Sequence, residues 1–467
     1  MQGIKRFIKD HRLEVAIFIV ALVARLALFF VVFAHNHYNL LDSIHGDDGY
    51  YEISQGILAG HGFTWDTVPP FSPNPLRPPV WPFAIAFFAG VFKTYWAVFA
   101  FEMILGAFIP VLSFLAAEKL FGRRAGKWTG FMLSFEPYLV LFSFLLYTET
   151  MFIFLFLIGF LFLIKYFSDK SIRALVWMTV FFGLATLVKP TIEYMPFLLA
   201  LIMIFAAWRE GGKAMLKDKQ LWTHIALAFA VFGAIIAPWV CRNYREFGAI
   251  GMSAQPAYNL YVYLMPTVLA IDEHSTFDAE QAKYVRVDGF SDTESITLAT
   301  GDAYSKKAIS VILDHKKALV ESGLVSLVTF FTHDGALTVL GYAGIIVPNT
   351  MSRPAIGLIA HPVELIRAIG KYIVGPGAII LILRLFWVVV TVLFIWGVWK
   401  YFKKEGAAPA AGAALLLVLY FALTTAINGF GVNARFRMPV DAFILGFALY
   451  GLFSPKRDNT RTIPERA

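Results

Sequence analysis

The sequence predicts an all-α, polytopic integral membrane protein with about ten transmembrane helices and additional interfacial or re-entrant helices. Of its 467 residues, 58% are hydrophobic and 15% are charged, whereas soluble domains are typically about 25% charged. The mean hydropathy is +0.66. Many apolar runs approach the roughly 20 residues that cross a bilayer core. These runs are continuous rather than alternating, which excludes an outer-membrane barrel.

The apolar runs and the basic residues between them predict the topology. The basic N-terminus, Lys5 to Arg12, should stay in the cytoplasm, as should the short basic connections further along the chain. We therefore attribute the net charge of +8 to cytoplasmic loops rather than to nucleic-acid binding. The first apolar run lacks a small-residue cleavage site, which indicates an uncleaved signal anchor. Spans are predicted at roughly 14–34, 96–118, 128–146, 147–166, 172–189, 191–208, 221–240, 376–400, 410–428 and 436–453.

Two further apolar segments are predicted not to span. Residues 35–79 should lie outside and Arg123 inside, so the segment 80–118 must cross the membrane an odd number of times. Because 80–94 is short for a span, we predict that it is interfacial or re-entrant and that 96–118 makes the crossing. Residues 321–347 contain His333-Asp334 and are treated in the same way. The chain then divides into a catalytic transmembrane module (1–245, with the outer loop 35–79), an extracytoplasmic loop with interfacial helices (246–375), and C-terminal spans with a cytoplasmic tail (376–467).

This topology brings charged and aromatic residues from distant segments to the outer face. Ionisable residues are costly near a bilayer and tend to be functional there. The catalytic candidates are Asp47, Asp48 and Glu149, and the substrate-binding candidates are Tyr50, Tyr51, Arg77, Lys189, Arg242, Arg245, Tyr258, Tyr261, Arg435 and Arg437.

The residue types favour group transfer from a lipid phosphate. A carboxylate can take a proton from an acceptor hydroxyl, and arginine and lysine can hold a phosphate as its negative charge grows. Tyrosine rings suit a sugar. Two neighbouring acids could also bind one divalent cation, so metal dependence stays open, and the single cysteine, Cys241, excludes a cysteine-based metal site.

Structural alternatives exist for each of these residues. Asp47 and Asp48 could form an N-cap pair before a helix predicted at Tyr50–Leu58, and Glu149 could cap the next span. The arginines Arg245, Arg435 and Arg437 could be interfacial residues that extend to the membrane surface, although several on the outer face run against the positive-inside bias. Arg25 lies inside the first span and should pair with a carbonyl or an acid, with Glu102 and Glu136 as candidates.

Several motifs in order resemble the glycosyltransferase C superfamily, in the bacterial branch related to protein O-mannosyltransferases and aminoarabinose lipid A transferases. They are Asp47-Asp48-Gly49-Tyr50-Tyr51, Arg77-Pro78-Pro79-Val80-Trp81-Pro82, the segment from Pro238-Trp239 to Arg245, Tyr258-Asn259-Leu260-Tyr261, and Ala434-Arg435-Phe436-Arg437-Met438-Pro439.

The resemblance implies a polyprenyl-phosphate-linked sugar donor, inversion at the anomeric carbon, and a lipid, glycan or protein acceptor. Asp47 matches the general base, Glu149 a second acid, and Lys189 a position near the lipid phosphate. Asp48 departs from the family motif, which usually has glutamate at this position. The expected location is the inner (plasma) membrane, with the active site extracytoplasmic. Two rivals remain: a lipid or sugar transporter or flippase, and a non-enzymatic scaffold.

Overall fold

The computed structural model describes residues 10–287, 296–347, 375–406, 408–427 and 433–454, with isolated positions 363, 366, 370 and 373. The N-terminal residues 1–9 and the tail from 455 lie outside the described residues, as does most of 348–374.

The described part contains helices and no strands. The α-helices are α1 Arg12–His35, α2 Leu40–Ile44, α3 Tyr50–Leu58, α4 Val80–Phe92, α5 Tyr95–Phe121, α6 Arg123–Leu133, α7 Pro137–Leu141, α8 Glu149–Asp169, α9 Ile172–Val188, α10 Met195–Met215, α11 Lys219–Phe247, α12 Gln255–Tyr258, α13 Met265–Asp272, α14 Phe277–Val287, α15 Gly301–Asp314, α16 Lys316–Thr332, α17 Ala336–Tyr342, α18 Gly377–Glu405, α19 Pro409–Ala426, α20 Asn433–Arg437 and α21 Asp441–Phe453.

The number of long apolar helices agrees with a multi-pass membrane protein. Within the described residues, eight helices are long and apolar enough to cross a bilayer, or nine if the bent pair α16–α17 is one span. Helices α4 and α9 are shorter apolar helices. The prediction of an all-α protein with about ten spans is therefore confirmed in outline.

Helix α4 is separate from the second span, as predicted. It has 13 residues, which is a length of about 20 Å at 1.5 Å per residue and too short to cross a bilayer core. The helix ends at Lys93, whose φ of 56° is left-handed. Thr94 then begins α5, and its side chain accepts a hydrogen bond from the Trp96 amide at 3.3 Å.

The predicted span 128–146 is wrong as a single helix. The chain breaks between α6 and α7, where Pro137 begins the new helix and the Glu136 side chain accepts a bond from the Leu139 amide at 2.7 Å. The break frees the Ser134 carbonyl, which accepts a bond from buried Arg25 at 3.4 Å. The carbonyl pairing predicted for Arg25 is confirmed, and neither Glu102 nor Glu136 forms a salt bridge with it among the described residues.

The pair α16–α17 bends by 68° at His333–Gly335, consistent with the re-entrant or interfacial segment predicted for 321–347. Asp334 Oδ1 accepts a hydrogen bond from the Ala336 amide at 2.8 Å, which caps the second helix. Asp334 Oδ2 accepts a hydrogen bond from Arg384 Nε at 2.6 Å. This bend anchors the pair against α18, which carries Arg384.

Two hydrophobic clusters position the segments that carry the candidate residues. The larger cluster joins the spanning helices. The smaller one joins Leu76, at the end of the first outer loop, to α12, α13, α15 and the start of α16. The Ala254 amide also bonds to the Pro75 carbonyl at 2.9 Å. The segment after α11 is thereby held against the loop that carries the two aspartates.

Candidate active site

The loop with Asp47 and Asp48 ends at a glycine that starts α3. Gly49 is the N-cap residue, with a φ of 76° and no side-chain cap bond, so neither aspartate caps this helix. A side chain at Gly49 would also place a Cβ 2.8 Å from the Trp65 ring. Both the left-handed φ and this close approach require glycine. The N-cap alternative for the aspartates is therefore wrong.

Five charged side chains from distant segments form one ion-pair cluster beside this loop. Arg435 contacts Asp48 Oδ2 through Nη2 and Glu149 Oε1 through Nε, each at 2.5 Å. Lys189 Nζ lies 2.6 Å from the same Glu149 oxygen. Arg77 Nη2 lies 3.5 Å from Asp48 Oδ1. Glu149 therefore does not serve as a cap, because its side chain is used by two cations.

Cations outnumber the acids that they neutralise inside this cluster. Arg77, Lys189 and Arg435 face Asp48 and Glu149, and the Glu149 side chain is only 2% exposed. Burial alone would raise the pKa of Asp48, but Arg435 and Arg77 lower it to about 2. Asp48 is thus held as a carboxylate whose charge is committed to two arginines.

Asp47 differs from Asp48 in its contacts. Its side chain is exposed, and it forms no salt bridge with any described residue. The Tyr147 hydroxyl donates to Asp47 Oδ1 and accepts a bond from the Asp47 amide at 3.2 Å. Asp47 is therefore the carboxylate of the pair that remains open to an incoming group.

Aromatic rings surround the cations. The Arg77 guanidinium lies 5.3 Å from the Tyr50 ring centroid, and Arg435 lies 4.5 Å from that of Tyr147. Lys189 Nζ lies 5.3 Å from the Phe436 ring centroid. Burial raises the pKa of Tyr50 to about 12, so its hydroxyl stays neutral. These rings limit the solvation of the cations and strengthen their attraction for anions.

Three predicted binding residues lie beside the cluster rather than in it. Arg242 packs against Phe63 and Trp239 and donates to the Asn74 carbonyl at 3.3 Å, so it joins α11 to the first loop. Tyr51 packs against His45 and Tyr95. Arg245 is exposed and near the end of α11.

The second outer segment reaches the cluster through α12. Arg77 Nη1 donates to Gln255 Oε1 at 3.4 Å, and Tyr258 is close enough to affect the charge of Arg77. Tyr261 is 2% exposed and packs against Tyr304, with ring centroids 4.9 Å apart. Of the two predicted tyrosines, Tyr258 lies toward the cluster, and Tyr261 belongs to the outer hydrophobic cluster.

Arg437 lies outside the ion-pair cluster, although the sequence groups it with the phosphate-binding candidates. It is fully buried, with Nε 2.7 Å from Asp441 Oδ1. Its Nη1 donates to the carbonyls of Phe330 and His333 at 3.0 and 2.8 Å. Its guanidinium also stacks on Trp387 at 3.4 Å from the ring centroid. Arg437 thus joins α16, α18 and α21.

Two polar residues that the sequence did not single out contact the cluster. Tyr147 holds Asp47, and Gln255 contacts Arg77. Tyr147 is two residues before Glu149, so its position in the same outer turn could have marked it as a candidate. Gln255 has no comparable sequence feature, because its contact depends on how α12 folds back.

The acids of the cluster fit a divalent cation poorly. Both oxygens of Asp48 contact arginines, and Glu149 Oε1 contacts two cations. In the described ranges, no group of three or more histidine, cysteine, aspartate or glutamate side chains could hold a metal ion. The positive charges of the cluster are those of the Arg77, Lys189 and Arg435 side chains.

Comparison with known proteins supports this fold. Residues 76–239 match the family model described as dolichyl-phosphate-mannose-protein mannosyltransferase. No curated protein matches the chain by sequence. The chain is similar in structure to the archaeal oligosaccharyltransferase AglB from Archaeoglobus fulgidus, solved in complex with an inhibitory peptide and a dolichol-phosphate. The two sequences are 14% identical and the TM-score is 0.53. The match covers 95% of this chain and 50% of that chain. The chain has the glycosyltransferase C fold.

Further structures extend this comparison. The Archaeoglobus fulgidus oligosaccharyltransferase tethered with an acceptor peptide matches the chain with a TM-score of 0.51 at 14% identity, covering 95% of this chain and 50% of that chain. ArnT from Cupriavidus metallidurans is 16% identical, and the match covers 93% of this chain and 77% of that chain. Its TM-score is 0.36, which is too low to support a conclusion. The chain spans about half the length of the oligosaccharyltransferases that it matches. The family match over 76–239 and the shared fold confirm the predicted resemblance to the superfamily.

Proposed function

We propose that the protein is a glycosyltransferase that moves a sugar from a polyprenyl-phosphate donor to an acceptor hydroxyl or amine, with inversion. The observation that carries the proposal is one open carboxylate, Asp47, which precedes Asp48 of the ion-pair cluster and is held by Tyr147, whose ring lies under Arg435. A base and a set of phosphate-binding cations are the two parts that such a transfer needs. The match of residues 76–239 to a mannosyltransferase family supports the same reaction class.

Asp47 acts as the general base in this proposal. As the acceptor oxygen bonds to the anomeric carbon, its proton moves to the Asp47 carboxylate. Asp48 is less suited to this role, because its two oxygens already contact Arg435 and Arg77 and those contacts hold its pKa at about 2. A carboxylate that is stabilised in this way is a weak base.

The cations stabilise the leaving group. When the bond between the anomeric carbon and the phosphate oxygen breaks, its electron pair stays on the phosphate, which changes from a diester with one charge to a monoester with up to two. Arg77 Nε is buried and has no hydrogen-bond partner among the described residues, so it can donate to that phosphate. Lys189 and Arg435 bring two more charges close to it, and no divalent cation is required for the step.

The proposed location is the inner (plasma) membrane, with the N-terminus cytoplasmic and the active site on the extracytoplasmic face. The support is charge placement, because the basic connection from Lys165 to Arg173 lies at the opposite ends of α8 and α9 from Glu149 and Lys189. The partners are the lipid-linked sugar donor, the bilayer, and a lipid, glycan or protein acceptor. Residues 246–375 are the proposed acceptor-binding part.

Transfer by the purified protein tests the proposal. The protein in lipid nanodiscs would be supplied with a panel of polyprenyl-phosphate-linked hexoses and pentoses, and release of polyprenyl phosphate would be measured. We expect release by the wild type, and Asp47→Asn should abolish it while leaving donor binding intact. Turnover retained by Asp47→Asn would overturn the assignment of the base. Movement of labelled lipid across the bilayer without any product would favour a transporter or flippase instead.

A further inference from the structure

Tyr147 makes two hydrogen bonds to one residue, Asp47. Its hydroxyl donates to Asp47 Oδ1 and accepts a bond from the Asp47 amide at 3.2 Å. Tyr147 is 5% exposed, whereas Asp47 is exposed. A buried phenol therefore fixes both the backbone and the side chain of a carboxylate that is open to substrates.

The Tyr147 ring is itself held by its neighbours. Arg435 lies 4.5 Å from its centroid, and the Phe142 ring centroid lies 5.2 Å away. On the third side is Gly46, where a Cβ would be 2.8 Å from the ring. The ring fits only because residue 46 has no side chain. This packing leaves the hydroxyl little freedom to move away from Asp47.

The two oxygens of Asp47 are consequently not equivalent. Oδ1 receives the Tyr147 hydroxyl, and the described residues place no hydrogen bond on Oδ2. A carboxylate that is free to rotate presents either oxygen in many orientations, whereas this one presents Oδ2 in a fixed direction. A base held in a fixed orientation accelerates proton transfer by a large factor relative to one that is free to rotate.

We propose that Tyr147 is a positioning residue that holds the Asp47 carboxylate so that Oδ2 accepts the proton of the acceptor. This inference rests on the proposed glycosyl transfer. Burial and the bond to Asp47 raise the pKa of the Tyr147 phenol. The phenol therefore stays protonated as a hydrogen-bond donor and does not compete with Asp47 as a base.

Tyr147→Phe tests the inference, because it removes the hydroxyl and keeps the ring under Arg435. A hydrogen bond to a charged group contributes about 1.5–3 kcal/mol, so kcat should fall roughly 10- to 100-fold, with KM for the polyprenyl-phosphate sugar unchanged. The matched control is Tyr450→Phe. Tyr450 is 7% exposed, and its hydroxyl donates to Glu405 at 2.7 Å, near the C-terminal end of α21. This control should leave kcat unchanged.

A double-mutant cycle separates positioning from packing. In the Asp47→Asn background, Tyr147→Phe should change any residual rate by less than about twofold, since the base is already absent. Wild-type kcat in Tyr147→Phe, or a rise in donor KM without loss of kcat, would overturn the inference alone. A wild type that transfers no sugar from the donor panel would overturn the proposed function, and the inference with it.

Discussion

Glu149 Oε1 accepts hydrogen bonds from both Lys189, at 2.6 Å, and Arg435, at 2.5 Å. One buried carboxylate oxygen thus joins the start of α8 to the end of α9 and to α20. Because two cations repel each other, the charge of Glu149 stabilises Lys189 and Arg435 side by side. In the proposed function, this grouping of cations stabilises the departing phosphate.

Glu149→Gln should therefore affect both stability and activity. Removing one partner of a buried pair leaves uncompensated charge, which costs about 3 kcal/mol or more, and sugar transfer should fall at least about tenfold. Thermal unfolding in detergent and a transfer assay would measure these effects. Glu210→Gln is the control, because it removes only the exposed pair with Lys170. A Glu149→Gln protein with wild-type unfolding and turnover would contradict the proposed role.

Asp48 should make folding stability depend on pH in the acidic range. Its pKa falls from 3.8 to about 2 in the folded protein. A lowered pKa contributes stability that is present above pH 3.8 and is lost as pH falls through about 2, and the contribution is about 2 kcal/mol. Between pH 4 and pH 2, wild type should lose more stability than Asp48→Asn. Parallel unfolding curves for the two proteins across that window would contradict this expectation.

Arg435 and Arg437 should respond differently to the same conservative change. Lysine cannot reproduce the two contacts that Arg435 makes through Nε and Nη2, so Arg435→Lys should lower transfer about tenfold or more. Arg437→Lys should lower the free energy of unfolding by about 2 kcal/mol or more, because the guanidinium is buried against Asp441 and two carbonyls. The protein that does fold should keep the wild-type KM for the donor. The reverse pattern would show that their roles are exchanged.

These two arginines show what the sequence could and could not predict. Both were placed on the outer face from charge and motif. Positions two apart on a helix point about 200° apart, so only one of them can face the cluster, and the sequence does not say which. Side-chain direction depends on how α20 packs against its neighbours, which is tertiary information.

Other predictions succeeded or failed for similar physical reasons. Counting charges on each side of the membrane predicts that 80–94 is separate from the second span, and the structure has a separate 13-residue helix, Val80–Phe92. The break before Pro137 was missed because 128–146 is apolar enough to pass as a span, although proline and a capping acid are both present. The contact of Tyr147 with Asp47 joins residues 100 apart in sequence, and no local pattern encodes it.

The proposed mechanism predicts activity without divalent cations. Both oxygens of Asp48 and Oε1 of Glu149 are already paired with Arg77, Arg435 and Lys189. Transfer should therefore survive dialysis against EDTA within about twofold, whereas transfer that needs a metal Lewis acid would lose several kcal/mol of transition-state stabilisation. Loss of turnover in EDTA, restored by Mg²⁺ or Mn²⁺, would mean that the cationic side chains are insufficient.

Gly46→Ala should impair catalysis without touching any charged group. The new Cβ would lie 2.8 Å from the Tyr147 ring, so the ring must shift, and the hydroxyl that holds Asp47 moves with it. A misplacement approaching 1 Å can cost up to about 100-fold in rate, and we expect kcat to fall about tenfold with donor KM retained. Gly233→Ala in α11 is the control, because no atom lies within 4 Å of its added Cβ. If Gly46→Ala raised donor KM at constant kcat, the ring would serve Arg435 and the phosphate rather than the base, because Arg435 stacks on the same ring.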